Sequence, residues 1–328
     1  MKKIYSIGLL ALLAASCKPT IEPEKPQKGE GTDFTRYVAV GNSLTAGFAD
    51  GALYRTGQMN SYPSMLAGQF KMVGGGDFKQ PLVPGEYGYP GPKFVLAIHK
   101  GLCDTAASLG PVPFTGALDT AGTSQNIYAV EGPFNNMGIP GIRAVDYLIP
   151  GYGMVNPLAK RMFVSPAGSR PLDEMLILNP TFFSLWIGSN DVLGYATAGG
   201  EGGALPTDKI SDVNLFNAAY DSVLTRLKSR GAQGVLLNIP DVTAIPFFTT
   251  IPANGLVLDK NNANLLNNAY NSLTHIRFEV GNNYFVIQDA TAPAGMRQIK
   301  QGEYILLSTP QDSLKCAGWG TRKPIPAN

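Results

Sequence analysis

The stretch "VAVGNSLTAG", Val38 to Gly47, decides the fold. Val38, Ala39 and Val40 form an apolar run without polar alternation, which suits a central parallel strand covered on both faces. Gly41 stops the run, and Ser43 follows it ahead of small residues able to open a helix. Open α/β sheets bind ligands at the carboxyl ends of their strands, so this position makes Ser43 a candidate nucleophile. A serine nucleophile needs a base to take its proton. The 328 residues hold only two histidines, His99 and His275.

Working outward, three more apolar runs read as strands: "TFFSLWIG" (Thr181–Gly188), "GVLLNIP" (Gly234–Pro240) and "YFVIQDA" (Tyr284–Ala290). Between them lie two segments of helical period. In "LFNAAYDSVLTRLKSRG" the positions Leu215, Phe216, Ala219, Tyr220, Val223, Leu224 and Leu227 share one face, and Gly231 suits the helix end. In "NNANLLNNAYNSLTHIRFEVG" the positions Leu265, Leu266, Ala269, Leu273 and Ile276 do the same, which predicts that His275 is helical. Strands separated by single helices predict an α/β fold with a mostly parallel sheet. From Asp50 to Asn135 the pattern gives way to Gly/Pro clusters, with only "YPSMLAGQF" reading as helix. Residues 51–134 are therefore expected to be a loop-rich insertion after the first strand, either a surface decoration or a segment that shapes the substrate.

The chain opens with "MKKIYSIGLLALLAAS": a basic start, an apolar run from Ile4 to Ala15 and small residues before Cys17. Residues 1–16 thus read as a secretory signal, too short for an ordinary spanning helix. Ending in "LAASC", the segment resembles a bacterial lipoprotein signal, which implies that Cys17 is lipidated and anchors the chain to an outer membrane or cell surface. The alternative is a plain signal peptide cut near Ser16. Residues 17–33, with three prolines and alternating charges between Lys18 and Asp33, are expected to be an extended tether, and 34–328 the folded domain. A net charge of +2, with no basic run interleaved with aromatics, gives no footing for nucleic acid. Cys103 and Cys316 can pair in an exported compartment or stay free, and without C-x-x-C or clustered Cys/His no structural zinc site is indicated.

Two later segments bear on Ser43. "NMGIPGIRA" (Asn136–Ala144) puts Gly141 at a turn where a bare N–H can face a ligand, and "WIGSNDV" (Trp186–Val192) puts the Asn190 amide just past a strand end. A nucleophile with a backbone donor and an amide donor is what acyl transfer requires, because the tetrahedral oxyanion must be hydrogen-bonded as its charge develops. Each residue also has a plainer role: Ser43 in a tight turn, Gly141 at a helix entry, Asn190 as a cap.

Taken together, these segments resemble the SGNH, or GDSL-type, hydrolase superfamily. Gly41-Asn42-Ser43-Leu44 matches its first block with Asn for Asp. Asn136 to Gly141 matches the second, and Gly188-Ser189-Asn190-Asp191 the third. The resemblance implies a flavodoxin-like three-layer α/β/α fold and a carboxylic ester hydrolase of esterase or lipase type. It implies Ser43 as nucleophile, with Ser43 N–H, Gly141 N–H and the Asn190 side chain as oxyanion donors, supported by Gly41, Asn42, Gly188 and Asp191. No cofactor is implied, and two histidines without acidic spacing make no metal site. The substrate would be a small-molecule, lipid or glycan ester.

The family's last block, Asp-x-x-His, has no match here. Its nearest echo is Asp312-Ser313-Leu314-Lys315, and an ordinary lysine is protonated at neutral pH. His275 and His99 are the remaining base candidates. The chain is accordingly expected to be either C-terminally incomplete or a catalytically silent surface lipoprotein that binds glycan or lipid in the same pocket.

Overall fold

The computed structural model describes residues 26–118 and 124–327. Residues 1–16, Cys17 and most of the expected tether lie outside these described residues. The chain divides between Thr32 and Asp33. Of the first unit only residues 26–32 are described, with one turn closed by Thr32 N–H on the Gly29 carbonyl at 3.1 Å.

In the second unit the strands in chain order are β1 (Tyr37–Gly41), β2 (Phe94–His99), β3 (Ser108–Pro113), β4 (Asn136–Gly138), β5 (Phe182–Trp186), β6 (Gln233–Leu236), β7 (Leu256–Leu258), β8 (Gly281–Asn283), β9 (Val286–Gln288) and β10 (Met296–Gln298). The helices used below are α1 (Ser43–Ala46), α2 (Tyr62–Lys71), α3 (Asn190–Thr197), α4 (Val213–Lys228) and α5 (Lys260–Ala269).

Four strands form a parallel sheet in the order β4-β1-β5-β6. β1 is buried at every residue and pairs with β4 on one side and β5 on the other. Its side chains alternate between two apolar layers, as the period of a strand requires. Val38 and Val40 join Phe183, Leu185, Val223 and Leu227 in the main core. Tyr37 and Ala39 pack with Ala67, Leu66 and Phe70 of α2. Burying a valine fully is worth about 1.5–3 kcal/mol, so the two-sided cover of β1 is a principal source of stability.

α4 is the helix that the periodicity predicts. Asp212 caps it, accepting from Asn214 N and Leu215 N, and Ala219, Val223 and Leu227 are its buried stripe. Leu215 departs from the expected face and is 64% exposed. Gly231 lies beyond the Ser229 cap at φ +74° and donates to the Lys228 carbonyl.

Three expectations are corrected. The run Tyr284–Ala290 is no fourth parallel strand: only Val286–Gln288 pairs, antiparallel to β10 in a separate two-stranded sheet. Its burial falls from Val286 to an exposed Gln288, whereas an interior parallel strand is covered on both faces. The fourth strand is β4, three residues long and with no apolar run to announce it. The second long helix stops at Ala269, because the Asn267 side chain turns the chain back by pairing with both Phe278 N–H (3.0 Å) and the Phe278 carbonyl (2.8 Å). His275 therefore sits in a turn, not a helix. Finally, residues 51–134 carry the antiparallel β2–β3 hairpin besides their helices. The hairpin loop is tied to the chain's last segment by the Cys103–Cys316 disulfide (Cα–Cα 5.8 Å).

The β9–β10 ladder is held by charge. Arg297 donates to Asp289 (2.6 Å) and, through two nitrogens, to Glu303 (2.6 and 2.8 Å). The Thr291 hydroxyl and then Arg297 hold the Asp289 carboxyl below the usual range, and Arg297 does the same for Glu303. Carboxyls depressed in the fold stabilise it above their unfolded values, about 3.9 and 4.3, and lose that contribution as pH falls through the folded values. On acidification below about pH 4 the amides of β9 and β10 are thus expected to lose hydrogen-exchange protection before those of β1. Simultaneous loss in both would contradict this.

Candidate active site

Ser43 is the first residue of α1, directly beyond the carboxyl end of β1. Asn42, buried, caps that helix by accepting from Leu44 N–H at 3.1 Å. The Gly41 carbonyl receives Ile139 N–H (2.9 Å) and the hydroxyl of fully buried Tyr147 (3.3 Å), so the turn into Ser43 is fastened from two sides. Asn136 adds a third tie: its amide donates to the Thr45 carbonyl (2.9 Å) while its oxygen accepts from Gly138 N–H (3.0 Å). α1 crosses β4 so closely that a Cβ on Gly138 would collide with the backbone of Thr45 and Ala46.

Gly141 leaves β4 through Ile139 and Pro140 and adopts φ +82°, a left-handed conformation that favours glycine. Space around it is open, so the backbone angle alone selects glycine there. Ser43 and Gly141 line one depression of about 440 Å³, whose other walls include Phe48, Tyr89, Pro90, Asn156 and Leu158. Neither the Ser43 N–H nor the Gly141 N–H donates a hydrogen bond within the described residues, and the Ser43 hydroxyl is equally unengaged. Two residues whose N–H groups have no partner among the described residues, one of them with an unengaged hydroxyl, thus line one concavity.

Asn190 opens α3 after β5, and its Nδ2 donates to the Ile142 carbonyl at 2.8 Å, one residue past Gly141. An amide nitrogen carries two hydrogens, so this contact uses half its donor capacity. Asn190 is not among the residues lining the depression. Gly188, buried, accepts from Asp191 N–H (3.1 Å). Asp191, also buried, accepts from Ala144 N–H at 2.6 Å, which locks α3 to the loop after Gly141. Burial pushes the Asp191 carboxyl up, and the Ala144 hydrogen bond opposes that shift.

The base candidates fall elsewhere. His275 Nε2 lies 3.0 Å from the Met296 carbonyl, and His99, on β2, packs its ring over Gly110. Neither lines the depression, whose only ionisable side chain is Tyr89. Lys315 donates to Asp104 at 2.6 Å, and that bond raises its pKa, which keeps it protonated. Among the described residues no group of three or more His, Cys, Asp and Glu is placed to hold a metal ion.

One positioning residue went unread in the sequence. Asn156 donates to the Pro140 carbonyl (3.0 Å) and accepts from Leu158 and Ala159 N–H, holding Pro140 beside Gly141. The signal was there: Asn156-Pro157 is an N-cap followed by proline at the first helical position. Compared with protein-family models, curated proteins and solved structures, the chain shows no match to any of them.

Proposed function

We propose that the chain is a serine-dependent acyl-ester hydrolase of the SGNH type, with a flavodoxin-like three-layer core. The observation that carries the reading is the pairing of the free Ser43 hydroxyl with the undonated N–H groups of Ser43 and Gly141 in one depression. In this reading the Ser43 oxygen attacks the ester carbonyl. The oxyanion of the tetrahedral intermediate is met by both N–H groups and by the second Asn190 hydrogen; the intermediate then expels the ester's alkoxide, which takes up the proton that the Ser43 hydroxyl gave up and departs as the alcohol, and water hydrolyses the acyl-serine left behind. The layering is supported by α2 and α4 packing against opposite side chains of β1. The mostly apolar walls suit the acyl part of an ester.

A second reading, a silent module that binds an acyl or glycan ligand without cleaving it, is favoured by one observation: no histidine or carboxylate lines the depression. Export and a lipid anchor at Cys17 belong to the proposal as well. They are supported by the signal-like start and by the Cys103–Cys316 disulfide, a bond that persists in oxidising compartments. Among the described residues no helix is long and apolar enough to cross a membrane.

A fluorophosphonate probe separates the two readings. The hydrolase reading expects one labelled peptide, containing Ser43, and none in Ser43→Ala. An unlabelled wild-type protein whose unfolding midpoint matches that of Ser43→Ala would favour the binding module.

A further inference from the structure

We infer that the chain carries a second binding pocket, built from a later part of the sequence than Ser43, that takes a neutral sugar residue of a glycan. The pocket has a volume of about 390 Å³ and is formed by the turn around Phe248, the loop at Asn254, Tyr284 and the loop from Gln301 to Tyr304. It shares no lining residue with the Ser43 depression, so the inference stands whether Ser43 cleaves or only binds. Its size falls among those of small-molecule sites, about 300–1,000 Å³. The walls are tied to one another: Leu307 N–H donates to the Phe247 carbonyl (2.9 Å), Phe285 N–H to the Ala253 carbonyl (3.3 Å) and Ile299 N–H to the Phe285 carbonyl (2.8 Å). Phe285, Ile299 and Ile305 supply the core against which Ile251, Ala253 and Tyr284 pack.

Three observations select the ligand. The first is a fixed aromatic surface. Tyr304 is 45% exposed, and its ring is held by buried Phe248, edge-on with 5.8 Å between centroids, and by its hydroxyl on Thr243 (3.3 Å). A ring held in this way offers apolar contact to C–H groups at low entropic cost. The second is a set of unengaged polar groups. The main-chain carbonyls of Asn254 and Tyr284 accept from Asn282 (3.2 Å) and Gln298 (3.3 Å), but their side chains and that of Gln301 have no hydrogen-bond partner among the described residues. Two amides and a phenol each donate and accept, which matches hydroxyl groups that do the same. A wholly apolar ligand would strip them of water without replacing it. The third is charge. No lysine or arginine lines the pocket, so nothing there receives a phosphate or carboxylate. Its one carboxylate, Glu303, is engaged by Arg297 and by Lys300 N–H (2.7 Å), and the two cations Arg297 and Lys300 offset the two acids Asp289 and Glu303. A cation therefore meets a carboxylate already balanced. Apolar C–H faces, a rim of hydroxyls and no net charge are the properties of a neutral sugar ring.

The test is a printed array of neutral, sulfated and sialylated glycans, none of them O-acylated, probed with the full chain biotinylated and gathered on streptavidin so that weak single-site binding registers. Neutral glycans are expected to be bound. In a titration with the strongest of them, Tyr304→Ala is expected to weaken binding about tenfold and Asn254→Ala/Gln301→Ala about fivefold. Asn254 and Gln301 are exposed, so the double variant is expected to keep the wild-type unfolding midpoint, and its loss of binding is not a loss of fold. Fluorophosphonate labelling of Ser43 is expected to be the same in the double variant as in the wild type, which keeps the outcomes at the two sites separate. A wild-type chain that binds no neutral glycan would overturn the inference. So would binding confined to sulfated or sialylated glycans, or neutral-glycan binding that both variants retain, which would place the ligand elsewhere on the chain.

Discussion

In the proposed hydrolase, Asn190→Ala is expected to slow fluorophosphonate labelling of Ser43 by about 10²-fold, and to lower kcat toward a short-chain nitrophenyl ester by about 10²–10³-fold with KM little changed. The oxyanion exists only as the acyl or phosphonyl bond forms, so a donor aimed at it acts on the transition state and not on the bound ester. The same substitution removes the 2.8 Å bond to the Ile142 carbonyl and loosens the loop that carries Gly141. Asn190→Asp separates these effects. A carboxylate occupies the same volume but accepts only, so it is expected to be at least as slow as alanine, facing both the Ile142 carbonyl and the developing oxyanion. Labelling rates that match the wild type in both variants would remove Asn190 from the donor set and leave it a structural cap.

The second large effect is on stability. Gly138→Val is expected to cost about 3 kcal/mol or more, read as a lower urea midpoint at unchanged slope. Its side chain would have to occupy the space of the Thr45–Ala46 backbone, and a backbone held by Asn136 and by its own helix cannot step aside. Gly141→Ala is the contrast. Nothing lies within 4 Å of its added methyl group, so the cost is confined to the left-handed φ, about 1–2 kcal/mol. The two glycines lie three positions apart and answer different constraints, one the close approach of strand and helix, the other a left-handed backbone angle.

What the sequence made legible follows the length of each apolar run. β1 and β5 declare themselves because a strand covered on both faces must be apolar throughout, and α4 because a stripe at 3.6 spacing persists over sixteen residues. β4 is three residues with an asparagine and a glycine in it, and only its pairing with Ala39, Val40 and Gly41 makes it a strand. The over-long second helix fails for a related reason: Asn267 is unremarkable in a helical pattern until its amide meets Phe278, a contact made by folding. At the site, the approach of Ser43 and Gly141 was readable from residues that follow strand ends. The state of their N–H groups was not, because whether a donor is free depends on where every nearby carbonyl goes.

The Cys103–Cys316 bond makes the span between them a closed covalent ring containing β4, β5 and β6, while β1 lies outside it. In the chain-entropy picture, closing a ring of this size restricts the unfolded chain by about 5 kcal/mol. A mechanical consequence follows when the chain is pulled from its two ends. Tension applied between Asp33 and the C-terminal residues passes across the sulfur bridge and bypasses the ring. Only the stretches before Cys103 and after Cys316 can lengthen, and β1 bears the load while its two neighbours in the sheet carry none. The first strand to be peeled away would be the one that delivers Ser43.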